Sequence, residues 1–238
     1  VNEPPITPGH HAAAAPTLDG TRVLVPAVGG VAVLELATKA RRGLLAIEGD
    51  VWRTVTGPGE RAVVIADKAA TLFDLATHAP ISSLSAQGEV ALEARFSNDG
   101  RYVYTRSSDF TVRRWDAASG ELEAASVDEE HLSLARFALH PADALMATFA
   151  DSIVSVWDTR TGKLLAQRDL TPDVKGVGTV LAFAPGGKLV ASSYSGVLWT
   201  WTLPSWQGTT QALDAMLARD VPWTLVDGRL KPRVLTGP

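Results

Sequence analysis

The chain repeats one sequence unit five times, with a period near 42 residues. Each unit has an apolar stretch, a turn, a second apolar stretch and a third that ends in a bulky residue. These bulky residues form one column: Leu34, Phe73, Trp115, Trp157 and Trp201. They are separated by 39, 42, 42 and 44 residues. Because one short unit cannot bury both of its faces by itself, we expect the five units to stack on one another.

Short-range patterns within each unit predict β-strands. Polar and apolar side chains alternate with period two in residues 111–115 and 153–157. The turns between the first two stretches contain Asn98-Asp99-Gly100 and Pro185-Gly186-Gly187, which tolerate the positive φ of tight strand connections. A period near 42 with four short strands per unit is typical of the blades of a β-propeller.

The third and fourth units resemble the WD-repeat family of β-propellers. They carry the dipeptides Trp115-Asp116 and Trp157-Asp158, each followed by a turn that ends in Ser-Gly or Thr-Gly. Residues 107–116 closely match the family's run Ser-x-Asp-x-Thr-Val-x-x-Trp-Asp. The resemblance covers about residues 16–206, and its degenerate copies are similar to bacterial members of the family. It implies an all-β WD-repeat propeller with five recognisable four-stranded blades.

The resemblance also implies structural roles for the motif residues. In the family, an Asp before the last strand joins a His, a Ser and the Trp in a hydrogen-bonded network inside the blade. Ser107, Asp109 and Trp115 match three of these places, whereas the Gly-His pair of the family is missing. Asp116 and Asp158 match the family's structural aspartate, and Trp157 and Trp201 repeat the anchor. We therefore expect an incomplete network and blades that depend mainly on apolar packing.

The repeats divide the chain into three parts. Residues 1–15 read as a Pro/Ala-rich linker or tail, and residues 16–206 as the five repeats. Residues 207–238 read as a connector helix, at 209–220, and a terminal hairpin in which residues 223–230 enter an Asp-Gly turn. This hairpin begins a partial sixth unit.

The number of blades has two interpretations. Seven repeats would need about 290 residues, and the chain has 238. Either the two ends close a six-bladed ring, or the chain is the C-terminal part of a larger, seven-bladed propeller whose other blades lie upstream or on another chain. We expect the second arrangement, because the Pro-rich start makes a poor opening strand.

Composition excludes several classes of protein. The chain has no Cys, which rules out a disulfide scaffold and thiolate metal sites and fits a cytoplasmic location. Its net charge is −4 and no basic block is present, which argues against nucleic acid as a partner. The longest apolar run, residues 23–34, is too short to cross a membrane. No motif for a cofactor, a metal or a catalytic nucleophile was found, so we expect none of these.

The sequence therefore predicts a non-catalytic module for protein–protein interaction, a scaffold or sensor within a larger signalling or effector assembly. A protein or peptide is the expected partner. Candidate contact residues, assigned to inter-blade loops, are Arg53, Arg106, Asp128, Glu129 and Tyr194. The alternative is a propeller enzyme or small-ligand binder that uses the central channel. That alternative predicts carboxylates or histidines that recur at one inward blade position.

Overall fold

The chain is all β wherever its structure is described. The computed structural model describes residues 13–67, 69–85, 89, 91–109, 111–126, 136–142, 144–150, 152–170, 178–184, 187–193, 198–202, 223–226 and 229–232. Within these residues the strands form five successive antiparallel sheets and a hairpin. The sheets are numbered 1 to 5 in chain order.

Four of the sheets have four strands, and in each of them consecutive strands pair as a meander. Sheet 1 contains β1 (Ala15–Pro16), β2 (Arg22–Ala27), β3 (Gly30–Glu35) and β4 (Arg41–Ala46). Sheet 2 contains β5 (Val51–Gly57), β6 (Arg61–Ala66), β7 (Ala70–Asp74) and β8 (Pro80–Ser83). Sheet 3 contains β9 (Ala91–Phe96), β10 (Tyr102–Ser107), β11 (Val112–Asp116) and β12 (Leu122–Ser126). Sheet 4 contains β13 (Arg136–Leu139), β14 (Leu145–Ala150), β15 (Ile153–Asp158) and β16 (Leu164–Asp169).

The fifth sheet has three strands within the described residues, where four were predicted. They are β17 (Gly178–Phe183), β18 (Lys188–Ser193) and β19 (Leu198–Thr202). Near the end of the chain, β20 (Trp223–Val226) and β21 (Arg229–Pro232) form a hairpin, with Val226 opposite Arg229 on either side of the Asp-Gly pair. The helix predicted at 209–220 lies outside the described residues, and the total number of blades stays a prediction.

Apolar cores lie between consecutive sheets rather than within any one sheet. Four clusters of buried side chains join sheets 1 and 2, sheets 2 and 3, sheets 3 and 4, and sheets 4 and 5. One residue from each side represents them, in chain order: Leu24 with Phe73, Leu72 with Trp115, Tyr104 with Trp157, and Phe149 with Leu189. Burying one such side chain contributes about 1.5–3 kcal/mol. The bulky residue near the end of the third strand of sheets 2 to 5 thus packs against the preceding sheet. In sheets 2 and 4 the residue before it, Leu72 or Val156, packs toward the following sheet.

In sheets 2, 3 and 4, the turn after the third strand also touches the preceding sheet, and the sizes of the two partners are complementary. In sheet 2 this turn holds His78 at φ 60°, and its ring lies where a Cβ on Gly43 of sheet 1 would stand. In sheet 3 the same turn holds Gly120, whose missing Cβ would lie 2.2 Å from the Cβ of Ser82. In sheet 4 it holds Gly162. A side chain is thus tolerated on one side of the contact only where the other side has none.

Replacing Gly162 with Ala tests this contact. The residue has φ +70°, and a Cβ would lie 2.2 Å from the carbonyl oxygen of Ala125 on the preceding sheet. Gly59→Ala is the matched control, because Gly59 has φ +69° and nothing lies within 4 Å of the place that its Cβ would occupy. We expect Gly59→Ala to lower the free energy of unfolding by about 1–2 kcal/mol through backbone strain alone. Gly162→Ala should lose roughly 1–3 kcal/mol more, through overpacking. Urea unfolding followed by tryptophan fluorescence measures both, and equal losses would contradict the contact.

Candidate functional site

A threonine of the adjacent strand anchors each of the two motif tryptophans. Trp115 Nε1 donates a hydrogen bond to Thr105 Oγ1 at 2.8 Å, and Trp157 Nε1 donates to Thr148 Oγ1 at 2.9 Å. All four residues are buried. Because an unpaired N–H in a dry interior costs about 1–3 kcal/mol, the threonine hydroxyl makes the buried indole tolerable.

The network implied by the family resemblance does not form among the described residues. Asp109 instead accepts hydrogen bonds from the backbone N–H of Thr111 and from Arg113 Nη1, both at 3.1 Å. Burial disfavours the Asp109 carboxylate, but the bonds from Arg113 and Thr111 outweigh it and lower its pKa. Ser107 is buried, and its hydroxyl has no hydrogen-bond partner. The indole N–H of Trp115 is bound by Thr105, so neither Ser107 nor Asp109 is needed as its acceptor.

In sheets 2 and 5, other residues occupy the positions of the tryptophan–threonine pair. Sheet 2 has Phe73 as its anchor, and Val64 stands where the threonine would be. Phe has no N–H to satisfy and Val has no hydroxyl, so both can be buried without a hydrogen bond. In sheet 5, Trp201 is half-buried against the cluster between sheets 4 and 5, with Ala191 at the threonine position. Threonine nine or ten residues before tryptophan is a signal that could have been found in the sequence.

The aspartates that follow the tryptophans cap turns. Asp116 Oδ1 accepts the backbone N–H groups of Ala118 and Ser119 at 2.9 and 2.7 Å. The bond from Ser119 is the largest of the effects that lower the pKa of Asp116. Asp158 Oδ1 accepts the N–H of Arg160 and of Thr161 at 2.9 and 2.7 Å. These recurring carboxylates are therefore committed to turn geometry.

A second column, of mostly charged residues, runs across the first strands of consecutive sheets. The first strands lie beside one another, β1 next to β5, β5 next to β9 and β13 next to β17. Strand register places four residues at equivalent positions near the starts of β5, β9, β13 and β17: Arg53, Glu93, Arg136 and Val180. The column therefore brings charges of sheets 2, 3 and 4 to one end of the stack.

Arg106 is a charged residue at a position of the second strand where two other sheets have apolar residues. It lies opposite Glu93 in β10, at the position that Ile65 holds in β6 and Phe149 holds in β14. Ile65 and Phe149 are fully buried apolar residues, so the fold needs no charge at this place. A buried arginine that replaces an apolar residue violates the local rule, and such violations in natural proteins concentrate at functional sites.

The guanidinium group of Arg106 is incompletely paired. Its side chain is only 7% exposed, and its Nε lies 3.7 Å from Glu93 Oε2, which is too long for a hydrogen bond. The Nε and Nη1 groups have no hydrogen-bond partner. Burial lowers the pKa of Arg106; Glu93 opposes this effect, whereas the positive charges of Arg136 and Arg53 add to it. Such a charge destabilises the fold unless something else binds it.

Glu93 is the ionic partner of Arg106, but the pair is loose. Its Oε2, which lies 3.7 Å from Arg106 Nε, is itself buried without a hydrogen bond. Its Oε1 accepts hydrogen bonds from Nε and Nη2 of Arg95 at 3.1 and 2.9 Å. The Arg95 guanidinium in turn lies over the ring of Phe137 in sheet 4, 5.3 Å from its centroid. One carboxylate is therefore shared between the guanidinium groups of Arg95 and Arg106.

An exposed tryptophan stands beside this cluster. The register between β5 and β6 shifts between Val51 and Arg53, which leaves Trp52 as the extra residue of a bulge. Bulges re-aim side chains, and Trp52 is 40% exposed. Arg53 and Arg136 are also exposed. We call the set Trp52, Arg53, Arg95, Arg106 and Arg136 the cationic face.

Two of the predicted contact residues belong to this face, but the structural reason differs from the prediction. Arg53 and Arg106 lie in strands β5 and β10, not in inter-blade loops. Arg106 is also buried, because it points into the contact between sheets where its neighbours in the column are apolar. Asp128, Glu129 and Tyr194 lie outside the described residues. Sequence reasoning missed Trp52, Arg95 and Arg136, since only strand register aligns them.

In the described part of the chain, no group of three or more His, Asp or Glu side chains is arranged to hold a metal ion. No helix in that part is long and apolar enough to span a membrane.

A double-mutant cycle tests the anchor between Trp115 and Thr105. Thr105→Val should lower the free energy of unfolding by about 1–3 kcal/mol, because it leaves the indole N–H buried without an acceptor. Trp115→Phe alone leaves the threonine hydroxyl unpaired and removes volume. The double variant reproduces the Phe–Val pair of sheet 2, so it should lose less than the sum of the two single variants. Urea unfolding measures all three, and strict additivity would contradict the anchor.

Part of the chain matches a known family model. Residues 71–116 match the family model described as "WD domain, G-beta repeat", WD40. This segment runs from the third strand of sheet 2 to the end of the third strand of sheet 3, and so includes the Trp115-Asp116 dipeptide. No curated protein matches the chain. The chain therefore contains a WD40 repeat at residues 71–116, within a succession of antiparallel sheets that is consistent with WD propeller blades.

Proposed function

We propose that this chain is a non-catalytic protein-interaction module that binds its partner through the cationic face. WD40 repeat domains are commonly protein-interaction scaffolds, and this family role supports the general assignment. The exposed pair of Trp52 and Arg53 carries the specific one. Tryptophan and arginine are enriched among the residues that dominate binding energy in protein interfaces.

The rigidity of the stack favours the same role. The face is built on strands whose register is fixed by buried apolar residues on both sides. Side chains on such a support lose little conformational entropy when a partner binds. We infer that the partner is a protein or peptide, bound within a larger signalling or effector assembly.

The alternative, an enzyme or small-ligand binder with a central channel, requires carboxylates or histidines that recur at one inward position. The observed first-strand column instead reads Arg53, Glu93, Arg136 and Val180. The recurring aspartates, represented by Asp116, are engaged as turn caps. These two observations are why we favour an interaction module.

Affinity capture with charge-matched variants tests the proposal. The bait proteins are the unmodified chain, Arg53→Glu, Trp52→Ala and the control Arg160→Glu. Arg160 follows β15, at the opposite end of its sheet from the cationic face, and is exposed. Arg53→Glu and Arg160→Glu change the net charge equally.

Proteins retained by the unmodified chain should fall about tenfold or more with Arg53→Glu and with Trp52→Ala, as for interface hot spots. They should stay within about twofold with Arg160→Glu, since exposed charges away from an interface contribute little. Quantitative mass spectrometry of the retained proteins gives these ratios. Equal retention by all four baits, or equal loss with Arg160→Glu, would refute the assignment of the face.

A further inference from the structure

We propose that Arg53, Arg106 and Arg136 form a binding site for an oxyanion, supplied by the side chains of an acidic peptide segment. This inference rests on the proposed function and adds the chemistry of the partner. The oxyanion is a carboxylate or a phosphate ester, which guanidinium groups bind in the same bidentate way.

Arg106 has hydrogen-bonding capacity that the fold does not use. Two of its N–H groups are buried without partners, and the nearest carboxylate, that of Glu93, is 3.7 Å away. At the equivalent positions, Ile65 and Phe149 satisfy the packing with no charge at all. An arginine held there in a defined position, with donors to spare, is preorganised for an anion.

Positive charge is in excess around Arg106. The positive charges of Arg136 and Arg53 act on its guanidinium group, and both belong to neighbouring sheets. Glu93 is shared between Arg95 and Arg106, and no carboxylate among the described residues forms an ion pair with Arg53 or Arg136. An oxyanion bound among the three arginines of the site would relieve their mutual repulsion. It would also join sheets 2, 3 and 4.

The charge of the whole chain favours a peptide over a nucleic acid as the ligand. The whole chain carries a net charge of −4. Nucleic-acid binding needs a basic stripe that follows many phosphates. The cationic face is a compact cluster beside a single exposed tryptophan, Trp52, which fits one or two acidic side chains flanked by an apolar residue.

Fluorescence anisotropy with labelled peptides tests the site. The probes are hexaglutamate, a peptide of the same length with one phosphoserine, and hexaglutamine as the neutral control, at about 50 mM salt so that screening is modest. Hexaglutamate or the phosphoserine peptide should bind, and hexaglutamine should not. The tighter of the two acidic probes identifies the source of the oxyanion.

Variants then assign the binding to these residues. Arg106→Met, Arg53→Gln and Arg136→Gln should each weaken binding of the acidic probe about tenfold or more, as expected for loss of a charge-assisted hydrogen bond. Arg160→Gln should change it by less than about twofold. Circular dichroism checks the fold of each variant. Should Arg106→Met fail to fold, Arg53→Gln and Arg136→Gln decide the question, because both residues are exposed.

Three results would overturn the inference. They are no binding of either acidic probe, equal binding by the arginine variants and Arg160→Gln, or tighter binding of a single-stranded deoxythymidine oligonucleotide that depends on the same arginines. Should the acidic probes fail while partner capture still depends on Arg53 and Trp52, only this inference falls. Should capture also be indifferent to Arg53 and Trp52, the proposed function falls with it.

Discussion

The structure depends on the packing of each sheet against the sheet before it. In each of sheets 2, 3 and 4, the two faces of the sheet are covered by different neighbours. The bulky residue that ends the third strand, such as Phe73, faces backward, and the residue before it, Leu72, faces forward. Stability is therefore shared along the succession of sheets, as in other repeat proteins. Any residue placed between two sheets must suit both of them.

This requirement makes the polar residues between the sheets informative. The indole of Trp115 is tolerated because Thr105 accepts its hydrogen. Arg106 has no comparable hydrogen bond, since its ionic partner Glu93 stands 3.7 Å away and binds Arg95 with its other oxygen. The buried Trp115 thus has its hydrogen-bond partner within the fold. Arg106 is left with unused N–H donors at a place where the positive charges of the exposed Arg53 and Arg136 act on it, which is why it points to a ligand.

The sequence was sufficient for most of the fold. The repeat period and the column that includes Trp115 predicted successive antiparallel sheets, and the Asp-Gly pair predicted the last hairpin. The role of Thr105 was missed, because the family motif directs attention to Ser107 and Asp109, whereas an indole needs only an acceptor within reach. The cationic face was largely missed. Arg136 and Arg53 are over 80 residues apart, and only strand register brings their positions into one column.

The central claim is that Arg106 is retained for binding and not for stability. Measuring the free energy of unfolding of Arg106→Met against the unmodified chain, by urea titration without ligand, tests it most directly. Glu93 keeps its partner Arg95 in this variant, and an apolar side chain restores the character of Ile65 at the equivalent position. The account predicts that Arg106→Met is as stable as the unmodified chain or more stable, as found when buried charges are replaced by apolar residues. A loss of more than about 2 kcal/mol would contradict it, since breaking a structural buried pair costs about 3–5 kcal/mol.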